Sequence, residues 1–571
     1  MAERPQVFPF RPTSPSRRLP ALPRRLAVYR CDVLVLGTGS AGLAAAMAAA
    51  DSGAHVMAVS KGSLRDTNTR YAQGGLAAAI GPEDRAEFHA GDTLGVGCGL
   101  SEPAVVQAIT AGAASAVDRL LEAGIQFNRN AAGEFSLGRE GGHRVARILH
   151  HGTATGLELQ RVLIAQARAH ARIDLFEDVC GVDLLRDAEG RVAGLLAMLQ
   201  GSRGAPEPVL FEAGAVVLAT GGGGQLYRET TNPALATADG LAMALRAGAE
   251  LQDLEFVQFH PTILYVAGAA RFLISEVVRG AGAVLRDREG RAFMASYHPD
   301  QELAPRDVVS RAIFRRIVET GDTHVYLDLS AVPDPAGRFP ELARITKEFG
   351  IDVRRDPIPV RPAVHYFIGG VAVDLDGRSS VPGLWATGEC ASTGLHGANR
   401  LGSNSLLEGL VHGGGTGRAA AGDCRPPRRF LLPNSSGARD HSGAELSLRD
   451  LVYSLKSLMW RQVGIERDGA GLEEAAERIA TWEDFLGRLG PFNRDGVEAV
   501  NMVQTAWMVA KSAAYREESR GTHYRTDWPE PREEWHVHTR VRALEDGVYW
   551  RTAPVREAGS EIPIVTEGKT T

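Results

Sequence analysis

The run CDVLVLGTGSAGLAAAMAAADSGAHVMAVSK, residues 31 to 61, constrains the fold more than any other part of the chain. An apolar strand meets glycines at 37, 39 and 42, an alanine-rich helix follows, and His55 to Ser60 reads as a second strand. In such a βαβ unit Gly37 permits the tight turn, Gly39 lets the backbone approach a pyrophosphate, and Gly42 lets the helix pack on the strand. The helix, opened by Ser40 and Ala41, offers free N–H groups and a favourable dipole to phosphate. About twenty residues past the glycines, where an acid would hold the ribose of NAD, the chain has Ser60-Lys61. FAD is therefore expected rather than NAD.

With 571 residues, 44% hydrophobic and 23% charged, the chain has material for about three or four domains. A formal net charge of −6 gives no electrostatic case for nucleic acid or a membrane surface. The five cysteines at 31, 98, 180, 390 and 424 lack any CxxC spacing, so no metal, iron–sulfur or c-type haem site is expected. Their dispersal suits a reducing cytoplasm. Residues 1–30 hold seven arginines against one glutamate and read as a disordered leader. Two Arg-Arg pairs before an apolar run imitate an export signal, but Arg30 and Asp32 break that run. No uninterrupted apolar stretch reaches membrane-spanning length.

Two further segments, AVVLATGGGG (215–224) and GLWATGECASTG (383–394), each place a short strand before glycines, as distant parts of one nucleotide domain would. The expected fold is α/β, with a Rossmann-like FAD-binding domain at 31–250 and 356–422, an inserted α+β capping domain at 251–355, and a C-terminal helical domain at 445–520. The insertion contains a helical stretch, PRDVVSRAIFRRIVE, and a strand-like HVYLDL. Residues 423–444, rich in proline, glycine and serine, read as a linker, and 521–571 form a tail of unassigned structure.

Four polar segments set His or Arg beside aromatic, Pro or Gly residues: EFVQFHPT (255–262), ELAPRDVVSRAI (302–313), RPAVHYFIGGV (361–371) and HGANRLGSNSLLEG (396–409). Together with YAQGG (71–75) and REGGH (139–143), they occur in the order found in the fumarate reductase and succinate dehydrogenase flavoprotein family. The chain resembles that family from about residue 31 to 520, and within it the branch that oxidises L-aspartate.

The resemblance implies FAD-dependent oxidation of L-aspartate to iminoaspartate, by hydride transfer to flavin N5, as the first step of NAD biosynthesis. Oxygen or fumarate would be the acceptor, quinolinate synthase a possible recipient of the product, and the cytoplasm the location. It places Arg400, His260, His365 and Thr262 as carboxylate binders, Arg306 as the proton-transfer residue, and Glu276 and Arg279 as its relay. Arginine forks carboxylates well but is a poor free base, so a relay is needed. Glu140 would pair with the substrate ammonium and disfavour succinate. For the cofactor the resemblance implies contacts from Gln73, Gly74 and Gly75, from Thr220, Gly221 and Asp239, from Glu389, and from Ser405 and Leu406 at a helix N-terminus. Asn68 stands where quinone-linked relatives carry the histidine that attaches FAD covalently, so FAD should be noncovalent. The alternative is a soluble fumarate reductase or succinate dehydrogenase flavoprotein subunit.

Overall fold

The computed structural model describes residues 6–19, 26–200, 206–269, 272–426, 430, 447–489 and 492–556. Its central sheet runs Ile173–Phe176, Val56–Val59, Ala27–Leu36, Pro206–Leu218, Val192–Gln200, Val179–Arg186, with Leu384–Ala386 also paired to Pro206–Leu218. The first strand thus begins at Ala27, upstream of the expected start at 31. Pairings around Ala27–Leu36 are parallel, and those of the last two strands are antiparallel. Strands buried on both faces need apolar residues throughout. Val33 and Val35 accordingly face one apolar cluster with the helix Ser40–Asp51, while Leu34 and Leu36 face another.

That second cluster continues into the C-terminal helices Leu448–Gln462, Gly469–Leu486 and Arg494–Tyr515, which therefore share a core with the nucleotide fold. The first cluster takes in the helix Asn404–Gly422. A Cβ at Gly413 would lie 2.7 Å from Ala41 O, and one at Gly417 would lie 2.1 Å from Ala45 O. Glycine spacing of four on one face lets the helices Ser40–Asp51 and Asn404–Gly422 approach closely, so that both N-termini open on the same cleft.

The inserted lobe has a four-stranded antiparallel sheet in the order Val257–Leu264, Ile358–Phe367, Val325–Asp328, Val284–Arg286. The expected helix is Arg306–Thr320, packed on that sheet, and HVYLDL supplies the strand Val325–Asp328. Ile358–Phe367, which the sequence reading put in the FAD-binding part, belongs to the lobe's sheet instead, because Val325–Asp328 and Val257–Leu264 both pair with it.

The leader is not disordered where it is described. Gln6–Phe8 pairs with Gly547–Pro554 at the edge of a six-stranded sheet, so the tail also has regular structure. Phe10 stacks on Trp507 with ring centroids 3.8 Å apart, Thr13 N donates to Glu483 at 2.6 Å, and Ser14 Oγ donates to Asp183 at 2.6 Å. Arginine content suggested solvation, but the apolar and hydroxyl side chains between the arginines do the packing. Of the expected linker, residues 427–429 and 431–444 lie outside the described residues. One stretch, Pro103–Glu122, is long and apolar enough in composition to cross a membrane. It is two helices separated at Gly112, with Val106, Ile109 and Val117 in the internal core.

Candidate active site

A cleft of about 700 Å³ runs from the glycine turn to the lobe. At its nucleotide end Gly37 holds φ +113°, and a Cβ there would meet Ala219 O at 2.0 Å. A Cβ at Gly39 would find only Thr69 Oγ1, at 3.2 Å, so the backbone at Gly39 lies open to the cleft. Gly42 does not line the cleft; its α-carbon lies against the turn, where a Cβ would meet Gly37 O at 2.0 Å. Ser40, Ala41, Ser60, Thr220 and Gly221 line the same end. Gly39, the cap of its helix, has no side chain to cover the terminus; the Ser40 N–H donates to Thr69 Oγ1 at 3.0 Å, and the positive end of the helix dipole still faces the cleft for an anion.

Lys61 and Asp239 also line the cleft but satisfy each other: Lys61 Nζ lies 2.6 Å from Asp239 Oδ2 and 2.9 Å from Glu498. Asn501 donates to the second Asp239 oxygen at 2.8 Å, tying the C-terminal helix to the cofactor end. Asn68 Nδ2 donates to Glu389 Oε2 at 2.7 Å, and Asn68 Oδ1 is buried without a partner. Gln73, Gly74 and Gly75 line the far side, but the Gly75 N–H is already donated to Ser403 Oγ at 3.2 Å. Ser405 and Leu406 open the helix Asn404–Gly422 on the cleft. Two helix N-termini, an exposed glycine backbone and an unpartnered buried amide oxygen fit a bound FAD. Asn68, whose amide cannot form a covalent flavin link, lines the cleft at the position the resemblance assigns to the linking residue.

At the lobe end the strand Val257–Leu264 alternates Val257 and Phe259 toward the core with Gln258, which bonds to Arg306 and Arg400, and His260, which lines the cleft, the period-two pattern of a strand. His260 and His365 come from paired strands, and their rings stand 5.5 Å apart. Burial holds both well below the usual imidazole range, with help from neighbouring guanidiniums, so both are neutral. Arg400 lies with its guanidinium 4.5 Å from the Tyr366 ring centroid and donates to Ser405 Oγ at 3.0 Å. Burial, reinforced by Arg306, lowers it to about 10, which still leaves it a cation at neutral pH.

Arg306 is the first residue of its helix and donates Nε–H to Glu276 Oε2 at 2.8 Å. Burial opposes its charge, but Glu276 and Glu140 outweigh burial and raise its pKa. Burial would likewise raise Glu276, yet Arg306 and Arg279 together hold it down to about 2. Arg279 lies behind Glu276, with Nη2 3.4 Å from Oε1, and does not line the cleft. Glu140 accepts from Ser403 Oγ at 2.9 Å and stands 3.7 Å from Arg306 Nη2. Burial raises its pKa against the pull of Arg306. Its flanking arginines have other partners: Arg139 donates to His143 O and Arg144 pairs with Asp92.

Thr262, expected to bind a carboxylate, is turned away. It does not line the cleft, and its hydroxyl donates to Ile274 O at 3.0 Å, because the next inward position of the strand faces the segment leading to Ser275 and Glu276. Ser275 does line the cleft, as the cap of the short helix Glu276–Gly280. Ser275, Gln258, Ser403 and Thr231 were missed by sequence reasoning. The S-E-x-x-R spacing signalled the first, as a cap preceding an acid; the others depend on contacts between distant segments. Thr231 is 3.0 Å from His365 Nδ1 and so orients that ring.

Profiles described as "FAD binding domain" and "Fumarate reductase flavoprotein C-term" match residues 32–406 and 453–563. An L-aspartate oxidase of Nostoc sp. (strain PCC 7120) is 40% identical over 564 residues, covering 92% of this chain and 95% of that protein. One of Mycobacterium tuberculosis (strain H37Rv) is 42% identical over 506 residues, covering 87% and 92%. A quinol-fumarate reductase structure with menaquinol superposes with a TM-score of 0.86 at 30% identity, over 94% of this chain and 100% of that one. Mycobacterium smegmatis Sdh1 in complex with UQ1 gives 0.81 at 33% identity, over 94% and 96%. Cradle, carboxylate cluster and relatives agree, and the chain belongs to the L-aspartate oxidase family, within the FAD-binding flavoproteins of the fumarate reductase and succinate dehydrogenase class.

Proposed function

We propose that this protein oxidises L-aspartate to iminoaspartate with noncovalently bound FAD, and that an oxidant then accepts the electrons. The finer assignments, oxygen or fumarate as that oxidant, transfer of the product to quinolinate synthase and a cytoplasmic location, belong to the same proposal. Glu140 is the observation that carries it. A buried carboxylate with a hydroxyl donor and one ion pair, at 3.7 Å to Arg306, facing Arg400 and two neutral histidines, suits a ligand with two carboxylates and one ammonium. Succinate would leave that carboxylate without a partner from the ligand, only Arg306 at 3.7 Å offsetting its charge.

Oxidation of the amine to the imine removes two electrons and two protons. Bound FAD supplies the electron acceptor, held by the glycine turn, the two helix termini, Asn68 and Glu389. Arg400 and His365 hold one substrate carboxylate and His260 the other, each neutral imidazole donating one N–H. Glu140 holds the ammonium and so fixes the orientation of the substrate between the two carboxylate sites. Arg306, a cation at rest, takes a proton from the substrate as it passes its Nε–H proton to Glu276, and Arg279 keeps Glu276 ionised to receive it. The lobe built on the sheet from Val257–Leu264 and Ile358–Phe367 to Val284–Arg286 acts as a cap, since Arg306 belongs to it and the flavin cradle does not. Closure would exclude water and bring Arg306 to the substrate.

Turnover of the purified holoprotein with L-aspartate in air, read as hydrogen peroxide, tests the reading. Peroxide should form in step with aspartate loss, and acid denaturation should release all the FAD. Retained flavin together with turnover of succinate alone would support the fumarate reductase or succinate dehydrogenase alternative.

A further inference from the structure

Arg306 and Arg400 are like charges from different parts of the fold, one opening the lobe helix Arg306–Thr320 and one on the loop before Asn404–Gly422. Gln258 lies between them, fully buried on the strand Val257–Leu264. Its Oε1 accepts from Arg400 Nε at 3.1 Å and from Arg306 Nη1 at 3.4 Å. Its Nε2 donates to Asn399 Oδ1 at 2.9 Å and to Arg400 O at 2.8 Å. A primary amide has two acceptor positions and two N–H groups, and all four are used here. The orientation is fixed, because the flipped amide would set N–H against both guanidiniums and oxygen against two acceptors. Asn399 in turn donates to Asp307 Oδ1 at 3.0 Å. Consecutive residues of the lobe helix, 306 and 307, are thus bridged to consecutive residues of the loop, 400 and 399.

We propose that Gln258 is a positioning residue that sets the spacing and orientation of Arg306 relative to Arg400, so that both engage one dicarboxylate. This rests on the function proposed above. A shared neutral acceptor draws the two cations together while leaving their charge for the ligand. A carboxylate in its place would pair with Arg400 and compete with the substrate. A side chain of similar length without an acceptor would leave the guanidiniums to repel.

The test uses the full-length holoprotein with Gln258→Glu and Gln258→Met, each checked for FAD content. For Gln258→Glu, KM for L-aspartate and the Kd of succinate, read from the flavin spectrum, should both rise about tenfold or more at alkaline pH. Both losses should persist into mild acid, because two guanidiniums would hold the introduced carboxylate ionised, as Arg306 and Arg279 hold Glu276. For Gln258→Met, kcat should fall by a larger factor than KM rises. Unchanged kcat and KM in both variants, a kcat for Gln258→Met that falls no more than KM rises, or losses that track loss of FAD, would overturn the proposal. Failure of the unsubstituted protein to oxidise L-aspartate or to bind succinate would overturn the functional reading itself, and this proposal with it.

Discussion

Arg306 meets Glu276 at 2.8 Å and Glu140 at 3.7 Å, so one guanidinium stands between a carboxylate held at about 2 and another raised by burial. The two acids differ because Glu276 touches two arginines, whereas Glu140 has a hydroxyl and one more distant charge. Lysine could keep the positive charge near Glu276 but not the fork that reaches Glu276 and Gln258 together. Arg306→Lys should therefore retain FAD and slow flavin reduction by about a hundredfold or more, the scale of a positioned acid–base group. Near-normal reduction in stopped flow would remove Arg306 from proton transfer. Glu140→Gln should raise KM for L-aspartate by about tenfold or more, equivalent to about 1.4 kcal/mol. Fumarate reduction, which needs no partner for an ammonium, should suffer less. Equal losses of both activities would mean that Glu140 supports the site generally.

The elements that sequence made legible are those whose local pattern and packing agree. The glycine turn, the helix Arg306–Thr320 and the C-terminal helices follow from period and composition. The HGANR, FHPT and HYFIGGV segments, read jointly, put Arg400, His260 and His365 on one cleft. Thr262 was misread because its neighbour His260 faces the ligand side, whereas its own hydroxyl is taken by a carbonyl twelve residues on. Ser403 and Gln258 were invisible because their roles come from partners more than a hundred residues away. The leader was misread because its arginines dominate composition while Phe8 and Phe10 dominate its packing against Trp550 and Trp507. If that strap belongs to the cooperative core, Phe10→Ala should cost about 3 kcal/mol, the usual price of deleting a buried ring. The denaturant midpoint of the holoprotein measures this, and an unchanged midpoint would show the strap unfolding independently.

Across the whole molecule, the tail strand Val537–Leu544 is anchored by His538, buried 2.6 Å from Asp253 and 3.1 Å from Glu102. Burial opposes the imidazolium, but the two carboxylates outweigh it and raise its pKa. With an ordinary value of about 6.5, the pair's contribution is fully present below that pH and is lost as pH rises through the raised folded value. The Tm gap between the protein and His538→Gln should accordingly be largest in mild acid and shrink with rising pH; a widening gap would reverse the assignment. Asp253 adjoins the lobe and Glu102 opens a helix of the nucleotide fold, so the tail braces the two parts between which the cleft lies. The cleft's selectivity for an amino dicarboxylate is tested most directly by the flavin spectrum of the holoprotein without oxygen, on adding succinate and then L-aspartate. Succinate should perturb the spectrum without bleaching it and L-aspartate should bleach it; bleaching by succinate, with none by L-aspartate alone, would contradict the assignment.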